Sequence, residues 1–540
     1  MTSGLIQLVA QGSQDIYLTG SPQITFFKIV YRRYTNFSIQ VVEQPFSAEP
    51  NFGKKISVKI SKNGDLISKM YVKVCLNEID PHGSKIAWIK RLGHALIKQV
   101  DIEIGGSKID RHYGSWLDIW YELARKGDHE RGYAYMIGDI PELTNFDNNL
   151  KPEYVLFVPL QFWFNKFIGL SIPLIALQYQ DIIMNVEFEE IDKLLIRSSD
   201  YEINNISIKN ASLLINYIYL DTEERKRFAQ VGHEYLIEQL QFNGEELIQS
   251  NNSKFVLDFN HPVKEIIWVM KNGNYISGKK FIYYTDKEEW DQQTIIDASE
   301  QIVQKSIAIG NNPSDISGGN WSEIKPKNFD IIGTFAVNNN MNISVWINPE
   351  SLKIGEYIIT NKITADIEIE STGNIIYKDI KTSLSIRDLS IPIDLMEDTR
   401  FNTNDPIIYQ FSNYGLLIDG SVNPTQFAQI QFNGYDRFEK REGAYFNYIQ
   451  PEQHHENTPK DGINVYSFAL YPEEHQPSGT VNLSRIEKSE LIISFSDPTQ
   501  SENQPQLNFI NFESRMYIFA TNYNIFRMLN GLSGICYTSS

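Results

Sequence analysis

One local pattern occurs twice in this chain, about 330 residues apart, and it limits what the chain can fold into. Residues 102–116 read IEIGGSKIDRHYGSW, and residues 430–446 read IQFNGYDRFEKREGAYF. Each copy is an alternating strand end, a tight turn with glycine, an Asp-Arg pair, a short polar stretch, then Gly and an aromatic. In the first copy these are Ile102, Ile104, Gly106, Asp110, Arg111, Gly114 and Trp116. In the second they are Ile430, Phe432, Gly434, Asp436, Arg437, Gly443 and Tyr445. LQFNGEE at 240–246 is a partial third echo. Two related β modules in tandem are expected, and self-similar modules point to architecture and self-assembly before catalysis.

The length of 540 residues supports this division. A single core stops growing near about 250–300 residues, so at least two domains are expected. Aromatic residues make up 12% of the chain, with 29 Tyr and 30 Phe. Branched and aromatic side chains suit a pleated, half-buried surface. The only cysteines, Cys75 and Cys536, lie at opposite ends, which excludes a disulfide scaffold and a thiol zinc site. A reducing compartment at synthesis is the simpler reading. The N-terminus lacks a basic region followed by a long apolar one, so no secretory signal is read there. The most apolar stretch, 154–180, contains Pro159, Asn165, Lys166 and Pro173. It reads as two buried strands with a turn at 165–169 rather than a membrane span.

Net charge is −18, unevenly spread. Residues 1–100 hold 13 Lys/Arg against 6 Asp/Glu, leaving the rest of the chain strongly acidic. The acidic bulk repels phosphate backbones, so direct nucleic-acid binding is not expected. The basic first hundred residues suit an anionic surface, or else a lysine-rich sheet face that discourages edge pairing.

Along the chain, 24–46 reads as an entering strand. Residues 55–76 read as a hairpin, with Ile56, Val58 and Ile60 alternating before Asn63-Gly64 and Met70, Val72 and Val74 after it. Residues 97–104 form a strand and 112–126 a short helix carrying Trp116, Trp120 and Leu123. Residues 221–238 are charged and helix-compatible, with Asp221 and Thr222 as N-cap residues. The expected domains are therefore 1–220, a linker at 221–235, and 236–540. Within the second, 285–410 reads as a β-rich insertion with strands at 341–347, 363–370 and 381–391. Many short strands without alternating helices favour a sandwich or barrel over a doubly wound α/β fold.

Longer stretches then match a known family. They include QDIYLTGSPQITFFKIVYRRYTNFS (14–38), FVPLQFWFNKFIGLSIPLIALQYQDI (157–182), YLDTEERKRFAQVGHEYLIEQLQFNG (219–244), YSFALYPEEHQPSGTVNLSRIEKSEL (466–491) and ATNYNIFRMLNGLSGICY (520–537). The chain resembles the major capsid proteins of nucleocytoplasmic large DNA viruses, most closely those of algal and amoebal viruses. The resemblance implies an all-β fold of two tandem eight-stranded jelly rolls. It implies a homotrimeric capsomer of pseudo-hexagonal outline that tiles an icosahedral shell in the virion. Its partners would be further copies of itself, minor capsid and penton proteins and an internal membrane, with synthesis in the host cytoplasm. The segment at 285–410 departs from compact family members and reads as a tower on the outer face.

No motif for a catalytic, cofactor or metal site is found. The nine histidines include no HxH or HExxH, and His454-His455, read as loop residues, would point to opposite faces on a strand. GxGxxG, GxxxxGK[ST] and GxSxG are absent. No cofactor is expected. Arg32 and Arg33, between Tyr31 and Tyr34, read either as an interface or inner-face anchor or as a salt bridge at the base of the first roll. Asp110-Arg111 and Asp436-Arg437 read as turn-stabilising ion pairs. Asn320 and Asn342 are sequons in the expected tower and candidate glycosylation sites. The alternatives are a glycan- or host-surface-binding jelly roll, a minor capsid paralogue, or a carbohydrate-active or amide-cleaving enzyme.

Overall fold

The computed structural model describes residues 3–10, 14, 19–271 (less 30, 85, 128, 146, 199–200 and 204–205), 335–338, 341–344, 366–369, 375–378, 406–407, 423–495 and 514–537. Eight strands build the first module: β1 (Phe37–Pro45), β2 (Lys55–Lys59), β3 (Leu66–Leu76), β4 (Ile97–Ile104), β5 (Ser107–Tyr113), β6 (Tyr154–Pro159), β7 (Ile182–Phe188) and β8 (Ile208–Leu220). They pair antiparallel in the orders β1-β8-β3-β6 and β2-β7-β4-β5.

Eight more strands build the second: β9 (His233–Leu247), β10 (Asn252–Val256), β11 (Pro262–Lys271), β12 (Thr425–Phe432), β13 (Tyr435–Asp436), β14 (Asn464–Ser467), β15 (Ser489–Phe495) and β16 (Arg515–Leu529). Their orders are β9-β16-β11-β14 and β10-β15-β12-β13. Shifting the labels by eight turns one set of orders into the other. The chain is a double jelly roll, and short accessory strands such as Ile172–Pro173 and Leu532–Ile535 add to sheet edges.

The repeated motif occupies the same place in both rolls. It is the hairpin β4–β5 in the first and β12–β13 in the second. Both central turn residues have positive φ: Gly105 (60°) and Gly106 (81°), then Asn433 (51°) and Gly434 (82°). This is the primed turn whose twist matches the flanking strands. The later glycines have a different reason. A Cβ on Gly114 would overlap the carbonyl oxygens of His94 and Ile97, and one on Gly443 would overlap that of Thr425. In each roll the chain leaves the hairpin by brushing the start of the strand that opened it.

Each roll closes its own core, because alternate residues of facing sheets point inward. Val72, Val100, Val186 and Leu213 are buried in the first, and Trp268, Ile430, Leu491 and Ile518 in the second. The connecting helix Thr222–Gln230 is N-capped by Asp221, whose Oδ1 accepts from the Thr222 amide at 2.7 Å.

Several expectations are corrected. Residues 55–76 are not a hairpin, since β2 and β3 belong to different sheets. The alternation is real, but 60–65 crosses the sandwich. It is held there by Tyr217 Oη donating to the Ser61 carbonyl (2.6 Å) and by the Asp65 amide on Ile218 (3.0 Å). The entering strand begins only at Phe37, and the described residues of 21–36 are exposed and lie outside any helix or strand. Residues 154–180 hold one long strand, β6. The expected second strand is replaced by helical turns at Trp163–Lys166, Ile168–Leu170 and Leu174–Ala176 around the two-residue strand Ile172–Pro173. In the expected insertion, Phe335–Asn338 pairs with Met341–Ser344, and Asp366–Ile369 pairs with Ile375–Lys378. The strand expected at 381–391 lies outside the described residues. Pro406–Ile407 returns to pair with Leu195–Ser198 of the first module.

Candidate assembly interfaces

The surface that joins the rolls is built around helix α1 (Gly114–Ala124), which follows the first copy of the motif. Apolar residues at 116, 119, 120 and 123 share one helical face at i, i+3, i+4 and i+7. That face leaves its own roll and packs on the outer face of the second-roll sheet. Trp116, Ile119, Trp120 and Leu123 meet Ile267 and Val269 of β11, Val465 of β14, and Tyr517 and Phe519 of β16. The Trp116 and Phe519 ring centroids are 5.6 Å apart. Full burial of such side chains contributes about 1.5–3 kcal/mol each. The opposite face stays at home: Leu117 enters the first core, and Asp118 pairs with Arg91 at 2.6 Å. In the other direction Ile237, Phe526 and Met528 of the second roll pack into the first core.

Polar groups fix the register of this seam. Asp110 Oδ1 accepts from the amide of Leu240 (3.0 Å), and Gln239 Nε2 donates to the carbonyl of Ile109 (2.5 Å). The Asn457 amide donates to the carbonyl of Leu123 at 3.0 Å. Gln180 exchanges hydrogen bonds with Ser533 (2.6 and 3.1 Å). Lys271, at the end of β11, reaches Ser115 Oγ (3.2 Å) beside a seam cavity of about 180 Å³ lined by both rolls. Burial pushes the Lys271 ammonium down to about 8.

A chain of buried ions runs through the same region. Glu238 of β9 binds Lys264 (2.6 Å) and Lys166 of the first roll (3.4 Å), and Lys166 also lies 3.6 Å from the Trp120 ring centroid. Burial would raise the Glu238 carboxyl, but Lys264 and Lys166 outweigh it and hold the group below the usual carboxylate range. His455 sits between Glu265 (3.1 Å) and Glu473 (2.8 Å). Burial alone would lower the imidazole; its contacts with Glu265 and Glu473 raise it to about 9. A second cluster joins His94 Nε2 to Tyr133 Oη (2.7 Å) and His94 Nδ1 to Asp118 (3.4 Å). Burial lowers the His94 imidazole and so favours its neutral form.

Both clusters pair imidazole with carboxylate, as catalytic sites do. Yet the side chains of His94, Asp118, His455 and Glu265 are at most 1% exposed. They are sealed packing elements that no substrate reaches. Among the described residues no group of three or more His, Cys, Asp or Glu is placed to hold a metal ion. No described helix is long and apolar enough to cross a membrane.

The residues singled out in the sequence fall in several places. Asp110-Arg111 is not an ion pair: Asp110 faces His112 (3.1 Å) and bridges to the second roll, while Arg111 lies 3.7 Å from Asp101. Asp436 accepts from Gln431 (2.6 Å) rather than pairing with Arg437, whose amide donates to Ile430. Of the two expected loop histidines, His454 ends the helix Gln450–His454, while His455 is the loop residue that follows it and is buried. Its role had no local signal, because Glu265 is 190 positions away. Arg32 and Arg33 are exposed and make no ion pair among the described residues. They lie on an arm whose Phe26, Phe27, Tyr31 and Tyr34 are 83–97% exposed. Within the basic first hundred residues, Lys59, Lys73 and Lys98 pair with Asp181, Glu43 and Glu187. Asn320 lies outside the described residues. Asn342 falls in the strand Met341–Ser344. Cys75 and Cys536 are both free thiols.

Two family models cover nearly the whole of this architecture. Residues 25–221 match the major capsid protein N-terminus, and residues 224–534 match the large eukaryotic DNA virus major capsid protein. The chain belongs to the major capsid protein family of large eukaryotic DNA viruses. It is 40% identical to capsid protein 1 of Acanthamoeba polyphaga mimivirus and 36% identical to the major capsid protein of Phaeocystis pouchetii virus, each alignment covering all of both chains. Among solved structures it is similar to VP54 of PBCV-1, with a TM-score of 0.61 and 27% identity over 95% of this chain and all of the other. In this family setting the seam is the intramolecular contact of a capsid double jelly roll.

Proposed function

We propose that the protein is a structural subunit of an icosahedral virion shell and that it acts by assembly. Three copies close a head-to-tail ring of six rolls, giving a trimeric capsomer with a pseudo-hexagonal outline that tiles a shell. The observation that carries this reading is the identical strand order of the two rolls, joined by a buried α1 seam. A chain that already packs roll against roll needs only repeat that relation between copies to close without open ends. Many weak contacts between capsomers then hold the shell while misplaced units can leave.

The exposed arm with Arg32 and Arg33 faces inward, toward an internal membrane or minor capsid and penton proteins. Its uncovered aromatics and cations support that direction. The segment at 285–410 stands outward as a tower, with Asn320 and Asn342 as its glycan acceptors. Synthesis takes place in the host cytoplasm, consistent with two free thiols.

Light scattering of the purified chain at physiological salt tests the reading. A stable species at three times 62.3 kDa is the expected result. A monomer at every accessible concentration would overturn it.

A further inference from the structure

The repeated motif aligns two helices as well as two hairpins. Setting Gly443 against Gly114 places Phe446 at Leu117, Asn447 at Asp118, Tyr448 at Ile119 and Ile449 at Trp120. Burial confirms this register. Leu117 and Asp118 turn into the first roll, and Phe446 and Asn447 are likewise fully buried in the second. Ile119 and Trp120 are two of the four residues that dock across the seam, with Trp116 and Leu123. Their counterparts Tyr448 and Ile449 are 43% and 46% exposed. Leu470 and Tyr471, 61% and 57% exposed, lie at the end of the same helix, where His454 Nδ1 meets the Leu470 carbonyl at 3.0 Å. The second roll therefore keeps two of the four docking positions apolar and open, with no sheet lying on them among the described residues; Tyr448 Oη donates to Asp461 (2.6 Å), while the counterparts of Trp116 and Leu123 are Tyr445, packed on its own core, and Glu452.

The receiving face has a counterpart too. In the seam, α1 sits on the outer face of β9-β16-β11-β14. The equivalent first-roll sheet is β1-β8-β3-β6. On its outer side Phe37, Ile39 and Val41 of β1 are 46–56% exposed. Leu214 and Tyr71 lie opposite each other in the β8–β3 register and are half-buried. This face is more polar than its partner in the second roll, with Glu43 bonded to Lys73 (3.0 Å) and Ser212 (2.6 Å). A face that stays wet until another copy arrives needs such groups; the second-roll face, covered within the chain, is aromatic.

We infer that Tyr448 and Ile449 form the docking face by which the second roll of one copy seats on the outer sheet of the first roll of the next, at Ile39 and Val41. The inference rests on the capsomer reading and names its contact. The occupant is a second copy of this chain, because the geometry repeats a contact the chain already makes with itself. Each step around the ring is then the same roll-on-roll packing, made alternately within and between chains.

The test uses the full chain and compares wild type with Ile449→Asp and Val41→Asp by sedimentation, with circular dichroism and thermal melting as controls for folding. Both sites are exposed, so each variant is expected to keep its fold and sediment at 62.3 kDa where wild type is trimeric. The milder Ile449→Ser is expected to weaken association about 10-fold or more, the value of burying one such side chain. Cysteines at 41 and 449, with Cys75 and Cys536 replaced by Ser, are expected to crosslink between chains. If wild type is trimeric and Ile449→Asp and Val41→Asp remain so, this contact is wrong while the capsomer stands. If wild type never associates, both fall together.

Discussion

The helices α1 and Tyr445–His454 follow the same turn, leave it past the same close glycine contact, and turn equivalent residues into their own cores. They differ in what the other side meets. Trp116 and Ile119 are at most 1% exposed because a second sheet lies against them. Tyr448 and Ile449, on the matching face, look out from the surface. One local design is thus satisfied by tethering and the other is left open. Where the partner sheet is part of the same chain, the seam can be dry and aromatic from the moment of folding. Where it is not, a smaller and more polar version keeps the subunit soluble.

That contrast can be broken most directly at its centre. Trp116→Ala is expected to destabilise the chain by about 3–5 kcal/mol, the usual cost of emptying a large aromatic site, whereas Tyr445→Ala should cost less than half as much. Equal losses in urea unfolding would mean that the helices are equivalent after all.

The buried ions sharpen the comparison through pH. The folded His455 imidazole lies near 9, above its ordinary 6.5. Its contribution, on the order of 3 kcal/mol, is therefore fully present below about pH 6.5 and lost as pH rises through about 9. Glu265, lowered to about 2 by His455 despite burial, contributes above about pH 4.5 and loses that contribution only as pH falls through about 2. The lowered Lys271 ammonium acts in the opposite direction above about pH 8, so His455 is read by difference: the stability lost in His455→Gln, taken from melting curves, should be largest near pH 6 and shrink toward pH 10. A loss that stays the same from pH 6 to pH 10 would show that the imidazole is not held charged.

Gly114→Ala and Gly443→Ala probe what the two rolls share. Each is expected to cost about 1–3 kcal/mol, because a carbonyl oxygen must move in either case. A large effect at one and none at the other would deny the structural equivalence of the motif. The smallest effect is expected at Ile449→Ser, within about 0.5 kcal/mol for the dissociated subunit, as for other exposed positions. Denaturant unfolding at low protein concentration measures it, and a loss above 2 kcal/mol would place Ile449 inside the subunit's own packing.

Much of this architecture is legible in the sequence. The duplicated turn, the strands around it, the capped linker helix and the cluster Trp116, Trp120 and Leu123 all depend on neighbours within a few residues. Such features carry their own signatures: positive φ at Gly106 and Gly434, period-two alternation, and an Asp at a helix start. The capsid resemblance extended that reading to the whole fold.

What lay beyond the sequence is what distant segments do to one another. Alternation in 55–76 is the same whether the strands pair or cross to opposite sheets, and only the strands that flank them decide. Asp110 reads like a turn residue until Leu240 is placed beside it, and His455 is a loop residue whose role is invisible until Glu265 and Glu473 enclose it. The sequence by itself determined two modules and their shared hairpin, because turn chemistry and alternation are local. Only the tertiary structure decided that one docking helix is buried and the other exposed, because burial belongs to a partner surface that no neighbouring residue specifies.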